Sequence, residues 1–371
     1  MSKRSFRIAL IVVVTTLVVL GVVALVIWRQ IKNYPFEARN GTGKEVTVVI
    51  EPGMNFPRIA ERLHQAGVID EPRWFRLYAM QEGATTRIRV GEYKLKDNWT
   101  PEKVLATLLE GVKDVTVSVT IPEGVNMLEA LDLIAAAGVA DRDALEKAAR
   151  DPAFLQKLGI AGETIEGYLF PETYRLKVPS TAQDVLAKLV EQHRVVWDRV
   201  MREHADGVAK LRAQLKWGDR EILTMASIVE KEAVVDVERP RIAQVFINRL
   251  TDEDFKPKLL QTDPTIRYGC TVPVEKTEPC KKWLDGSQDE KGRKMGRLRR
   301  AQLNDEGNRY NTYQHEGLPP GPITSPGEKS LIATVTPDGS DYFYFVAKDD
   351  KSHVFAKTVA EHERNVDKYM R

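Results

Sequence analysis

Two carboxylates, Glu230 and Glu232, stand two positions apart in the run MASIVEKEA, and the residues around them set what chemistry they can do. Ile222, Met225, Ala226, Val229 and Ala233 recur at helical spacing, which predicts a helix with one apolar stripe packed into a core. At about 100° per residue both glutamates fall outside that stripe, roughly 80° to either side of it. A carboxylate there lies half against the core edge and half toward a cleft, where desolvation raises its pKa and leaves it a proton to give. The same spacing also describes a solvated Glu-Lys-Glu face, and periodicity does not choose between the two glutamates.

Other catalytic signatures are absent. The chain has no G-x-S-x-G, no Walker A, no dinucleotide G-x-G-x-x-G and no H-E-x-x-H. Nucleophile-elbow hydrolysis, phosphoryl transfer, hydride transfer and zinc-peptidase chemistry therefore lose support, and neither a metal nor an organic cofactor is expected. A carboxylic acid in a polar cleft is the equipment of glycosidic bond cleavage, in which the acid protonates the leaving oxygen.

The elements that must position such an acid follow from the pattern around it. A long helical stretch from about Thr181 to Leu215 leads into the glutamate helix, and a second helix from about Glu238 to Leu250 follows it. Asn248 and Arg249 sit at the end of that second helix, where they either line a cleft or cap and pair at the helix terminus. LQTDPT (Leu260–Thr265) is a turn rich in hydrogen-bonding side chains, and its Asp263-Pro264 pair is also a common turn starter. DYFYFVA, a DDKS turn and HVF predict a hairpin, and an amphipathic helix from about Val359 to Tyr369 ends the chain.

The chain of 371 residues is long enough for two or three domains, and its formal charge of +2 gives no nucleic-acid footprint. Ile8 to Trp28 is a run of 21 residues without a charge, long enough to cross the roughly 30 Å of a hydrocarbon core. No A-x-A cleavage site follows it, so it reads as a retained transmembrane helix. Lys3, Arg4 and Arg7 before the span, against Arg29 and Lys32 after it, favour a cytoplasmic N-terminus. Cys270 and Cys280 bracket nine residues and none of the six histidines lies near either. A disulfide stapling a surface excursion in an oxidising compartment is therefore expected.

A strand, Pro-Gly turn and helix occur twice. EVTVVI-EPGMNF and VTVSVT-IPEGVN place Gly53 with Gly124, Asn55 with Asn126 and Gly67 with Gly138, each pair 71 residues apart. Two small units before the glutamate region are expected. Trp74, Phe75 and Tyr78 in the first unit offer stacking faces, but at i, i+1 and i+4 of a short helix they read better as core.

MASIVEKEA, FINRL, LQTDPT, YNTY with GLPPGPI, and YFYFVAKDDKSHVF occur in that order, and together they resemble the catalytic domain of the endolytic murein transglycosylase family, the YceG-like or MltG proteins. The resemblance runs from about Ile165 to the C-terminus and more loosely over what precedes. It implies an α+β protein with an N-terminal transmembrane helix, a LysM-like small α/β membrane-proximal region, and a mixed α+β catalytic domain with a catalytic helix and a C-terminal β-hairpin. The expected boundaries are 1–7 cytoplasmic tail, 8–28 membrane span, 29–44 linker, 45–113 LysM-like unit, 114–160 second strand-turn-helix unit and 161–371 catalytic domain.

The activity that the resemblance implies is cleavage of the MurNAc-GlcNAc bond within nascent glycan strands of peptidoglycan. The C6 hydroxyl of the same N-acetylmuramyl residue attacks C1, leaving a 1,6-anhydro end, so one glutamate serves where an ordinary glycosidase needs two carboxylates. Position by position Glu232 matches the family's catalytic acid and Glu230 becomes a supporting carboxylate. Gln261, Thr262, Asp263, Tyr310, Asn311, Thr312, Tyr313 and Asn248 are the expected substrate-positioning groups. The implied setting is the inner membrane with the catalytic domain in the periplasm, where it would stop elongating peptidoglycan polymerases. A non-catalytic membrane-anchored peptidoglycan-binding scaffold is the alternative. NDEGNR before YNTY departs from the family's usual Ser-Pro pair, and a basic stretch, residues 281 to 300, lengthens the path to it.

Overall fold

The computed structural model describes residues 3–51, 53–111, 116–286 and 296–370, with side chains described from Val14 onward. The middle of the basic stretch, 287–295, lies outside the described residues. The chain forms two compact units, Met1–Asp114 and Val115–Arg371.

The first unit begins with helix α1 (Lys3–Asn33). The segment Val14–Phe36, most of α1 with the single turn that follows it, is 23 residues of mean hydropathy 2.0 with none of its apolar window buried, long and apolar enough to cross a membrane. Strand β1 (Glu45–Ile50), helices α2 (Phe56–Gln65) and α3 (Pro72–Gln81), strand β2 (Gly91–Lys96) and helix α4 (Pro101–Glu110) follow. β1 and β2 pair antiparallel, from Glu45 opposite Lys96 to Ile50 opposite Gly91. Alternation turns Val48, Ile50, Tyr93 and Leu95 inward, against Phe56, Ile59 and Leu63 of α2. Asn55 caps α2 by accepting from the Arg58 amide at 3.1 Å. Phe75 is fully buried and stacks on Phe56 at 5.9 Å between ring centroids, whereas Trp74 and Tyr78 are only partly covered.

The second unit repeats this local design with more helices. Strand β3 (Thr116–Thr120), helices α5 (Met127–Ala136), α6 (Arg142–Ala149) and α7 (Pro152–Lys157), and strand β4 (Thr173–Lys177) occur in that order. β3 and β4 pair antiparallel, as β1 and β2 do. Asn126 caps α5 as Asn55 caps α2. Gly53 and Gly124 have φ of +81° and +76°, and Gly67 and Gly138 have +73° and +71°, so the 71-residue correspondence is one of backbone conformation. Residues 116–160 do not stand apart from 161–371, however. β3 finds its partner in β4, and Val119, Leu131, Leu145 and Phe154 share one core with Ile222, Met225 and Phe246. A strand and three short amphipathic helices cannot cover both of their faces alone.

Helices α8 (Ala182–Glu203) and α9 (Ala205–Leu215), the two parts of the long helical stretch, break at His204 and lead to α10 (Asp219–Glu232). Helix α11 (Arg239–Thr251) turns back after it, and α12 (Asp263–Thr271), α13 (Glu278–Gly286) and α14 (Arg300–Leu303) follow. Helix α15 (Glu328–Val335) packs against α10 and α11, and strands β5 (Tyr344–Ala347) and β6 (His353–Ala356), paired antiparallel, precede α16 (Val359–Tyr369).

Cys270 on α12 and Cys280 on α13 form a disulfide. Its setting differs from a surface staple: both cysteines are buried among Ile266, Trp283, Leu284 and Leu298. Two short helices bury too little apolar surface to hold each other, and the covalent link stands at the centre of their small core.

Candidate active site around Glu232

Helix α10 packs Ile222, Met225, Ala226 and Val229 into the main core, as their spacing requires, and ends on Glu232. The two glutamates, about 200° apart around the axis, meet opposite environments. Glu230 lies under α15: it accepts from the Gly327 amide at 3.0 Å and the Ser330 hydroxyl at 2.8 Å, and pairs with Arg239 at 3.3 Å. The side chains of Glu230 and Arg239 are only 5% and 7% exposed. Glu230 is thus not the half-open flank residue expected from periodicity, because α15 closes over it. Lys231 points outward and donates to the Gly124 carbonyl at 3.0 Å.

Among the described residues no cation pairs with Glu232. It is half-buried and accepts a short hydrogen bond from the Thr262 hydroxyl. Burial pushes its carboxyl above the usual range; the Thr262 bond pulls the other way, Asp263 adds to the rise, and the charges of His353 and Arg249 oppose it. Its place at the helix C-terminus, where the backbone dipole is negative, also disfavours the ionised form.

The QTDPT turn reaches this carboxyl through backbone and hydroxyl bonds. Thr262 donates its amide to the Thr312 hydroxyl at 3.1 Å, and the Thr265 and Thr312 hydroxyls lie 2.9 Å apart. The Gln261 amide donates to the Thr312 carbonyl at 3.0 Å, and Gln261, at φ +52°, leaves its side chain exposed. Tyr313 donates its hydroxyl to Asp263 at 2.9 Å, and its phenol is pushed up by burial and by that carboxylate. The structure thereby brings Glu232, Thr262, Asp263, Thr312 and Tyr313 together.

It takes other expected residues elsewhere. Asn311 is fully buried and donates to the carbonyls of Gln302, Leu303 and Asp305 at 3.0–3.1 Å, so its amide is spent on the loop that departs from the family pattern. Asn248 donates to the carbonyls of Ser340 and Tyr342, both at 2.9 Å, and holds the approach to β5. Tyr310 packs on Tyr268, 4.7 Å between centroids, away from the Thr262 cluster.

Arg249, expected either to line a cleft or to pair at its helix end, does both, and His353 is not singled out for the site by its sequence pattern. Arg249 is buried, donates to the Phe343 carbonyl at 2.7 Å and to the Leu260 carbonyl, and lies over Phe255 and Tyr344. It thereby ties β5 to the residue two before Thr262, and burial lowers its pKa to about 10. His353 of β6 has Nδ1 2.8 Å from Glu238, which also accepts the His353 amide at 3.0 Å. Only a long-range pairing puts these groups beside Glu232; the local signal was a basic residue closing α11 and a lone histidine opening a strand.

Fold and site together define an α+β protein in which one desolvated carboxylate, at a helix end and hydroxyl-bonded, stands beside a polar turn. A sequence profile of the YceG-like family matches residues 48–368, and the chain belongs to that family. It is 29% identical over 348 residues to the endolytic murein transglycosylase of Bacillus subtilis, covering 88% of this chain and 85% of that protein. The endolytic murein transglycosylase of Streptococcus pneumoniae is 27% identical over 350 residues, 87% of this chain and 58% of that longer protein. The 2.6 Å crystal structure of a protein described as yceG-like, from Listeria monocytogenes, superposes with a TM-score of 0.53 at 28% identity, over 87% of this chain and all of that one.

Proposed function

We propose that this chain is an endolytic peptidoglycan lytic transglycosylase, with Glu232 as its acid and then its base. The carrying observation is the contrast within one helical turn: Glu230 is neutralised by Arg239, whereas Glu232 meets a hydroxyl and is driven toward its protonated form. In the cleavage step Glu232 gives its proton to the glycosidic oxygen as the bond from that oxygen to C1 of N-acetylmuramate breaks. The carboxylate so formed is stabilised by the Thr262 hydroxyl and by the positive charge of Arg249. It then takes the proton of the C6 hydroxyl as O6 bonds to C1, which closes the 1,6-anhydro ring and restores the acid. The names of the relatives support this reading over a non-catalytic scaffold.

The remaining assignments belong to the same proposal. Thr262, Asp263, Thr312 and Tyr313 position the reacting sugars, and Gln261 meets the strand from its exposed place. Glu230 holds the helix end, and Asn311 and Asn248 hold loops. The strand-helix-helix-strand order of 45–96 supports a LysM-like unit, and the β5–β6 pair supports the C-terminal hairpin. α1 is the anchor, with the N-terminus in the cytoplasm and the rest in the periplasm of an inner membrane, within reach of the polymerases that make the strand. The test is digestion of purified sacculi by the purified full chain. Non-reducing 1,6-anhydro ends, one water lighter than the reducing ends that hydrolysis leaves, are expected; hydrolytic ends alone, or none, would reject the activity.

A further inference from the structure

A groove of about 760 Å³ opens beside the YNTY motif, and Glu232 is not among the residues that line it. The disulfide-closed segment lines it with Lys276 and Thr277, as do Glu163, Thr164 and Arg220. Tyr268 and Tyr310, packed on each other, line it too. Behind them Glu166, 3% exposed, accepts from the amides of Met127 at 2.8 Å and Gly167 at 3.2 Å, so this pair rests on a bonded support. Tyr310 and Tyr313 are three positions apart, at most about 11 Å along the chain. Yet Tyr310 lines the groove while Tyr313 binds Asp263 beside Glu232. The groove and the Glu232 cluster are therefore joined through one short motif, YNTY, which contributes a residue to each.

The charge of the groove selects what enters it. Arg150, Arg220, Lys276 and Arg309 line it against Glu163 and Glu275, four cations to two carboxylates. Arg220 is braced by the Ala161 and Pro320 carbonyls and Arg150 by Glu146 and the Val272 carbonyl, which fixes two guanidinium groups on the walls. These braces take two of the five N–H donors of each guanidinium, and the donors left over can meet a carboxylate. With the lactyl carboxyl amide-linked to its peptide, the N-acetylated sugars of the glycan are uncharged and the carboxylates are those of the peptide. We infer that this groove is a subsite for the carboxylate-bearing peptide substituent of the glycan strand. The inference rests on the transglycosylase reading and deepens it: the enzyme reads peptide as well as sugar, through the segment that the disulfide closes.

The experiment compares binding of N-acetylglucosaminyl-N-acetylmuramyl disaccharide bearing its tripeptide with the bare disaccharide whose lactyl carboxyl is capped as a primary amide, by calorimetry on the full chain in detergent. The peptide-bearing ligand is expected to bind about ten-fold tighter at low salt, with the ratio shrinking as salt screens the charges. Arg309, on the rim and paired at 3.3 Å with the exposed Glu163, is the residue to change without touching the fold. Arg309→Glu should cut the ratio roughly five-fold and leave the bare disaccharide unaffected. Equal binding of the two ligands by the unmodified chain, or equal losses for both in Arg309→Glu, would overturn the subsite. Failure of the parent reading looks different: sacculi without anhydro ends, whatever the binding ratio.

Discussion

Thr262 donates its hydroxyl to Glu232 across 30 residues of sequence, and this hydrogen bond joins the end of α10 to the QTDPT turn. It favours the carboxylate, so it works against the burial that raises the pKa of Glu232. Thr262→Val removes the donor at nearly constant volume. The pKa of Glu232 should then rise further, and the alkaline limb of the pH–rate profile should move up by about 0.4 to 1 unit, the equivalent of one hydrogen bond of 0.5–1.5 kcal/mol. A limb that stays, or moves down, would show that Thr262 does not tune the acid.

Glu232→Gln keeps the shape and the bond from Thr262 but has no proton of suitable acidity. Anhydro-end formation should fall by about 10²- to 10⁴-fold, roughly 3–5 kcal/mol of barrier. The thermal midpoint should not fall, since an unpaired carboxyl is replaced by a neutral amide. Retained cleavage would remove Glu232 from the mechanism.

Glu230→Ala is expected to fail differently. It leaves Arg239, itself 6% exposed, without its buried partner, and breaking such a pair costs about 3–5 kcal/mol. Equilibrium denaturation should register that loss, and cleavage per folded molecule should fall far less than in Glu232→Gln. A stable but inactive Glu230→Ala would exchange the roles of the two carboxylates.

Glu166 makes the stability of the second unit depend on pH. Burial raises its carboxyl to about 8, whereas the unfolded chain ionises it near 4.5. Folding therefore holds a proton that the unfolded state releases. The stabilisation is complete below about 4.5 and is lost as pH rises toward about 8, with a slope of at most roughly 1.4 kcal/mol per unit. His193, lowered to about 4 by burial, acts in the opposite sense, costing stability as pH falls from 6.5 toward 4. Urea unfolding from pH 6.5 to 8 thus leaves out His193 and reads the raised carboxyls, Glu166 with Glu232 and Glu123, and Glu166→Gln should flatten that decline by the Glu166 share. An unchanged slope would assign it to other groups.

Loss of the Cys270–Cys280 link should loosen the small core around Trp283. A separation of 10 residues corresponds to about 3 kcal/mol of loop-closure entropy. In a Cys270→Ser, Cys280→Ser double variant, protease cleavage between 271 and 286 should rise before the rest of the unit unfolds. Unaltered protection would mean that packing alone holds α12 to α13.

Local chemistry carries much of this molecule. Apolar spacing in α10, the N-caps at Asn55 and Asn126, and the glycines at positive φ are decided within a few residues, so they are legible in the chain. So is the apolar length of α1. The helical period even separates Glu230 from Glu232, since two residues turn the axis by about 200°. What it cannot supply is the partner on each side. Arg239 with Ser330 neutralises one glutamate and Thr262 with Arg249 surrounds the other, and these depend on α15 and β5, which arrive from about 100 residues away. Asn311 and Asn248 show the same limit from the other direction: an asparagine in a motif offers the same donors to a sugar or to a carbonyl. Only the packed loops, whose buried carbonyls had to be satisfied, directed both amides inward.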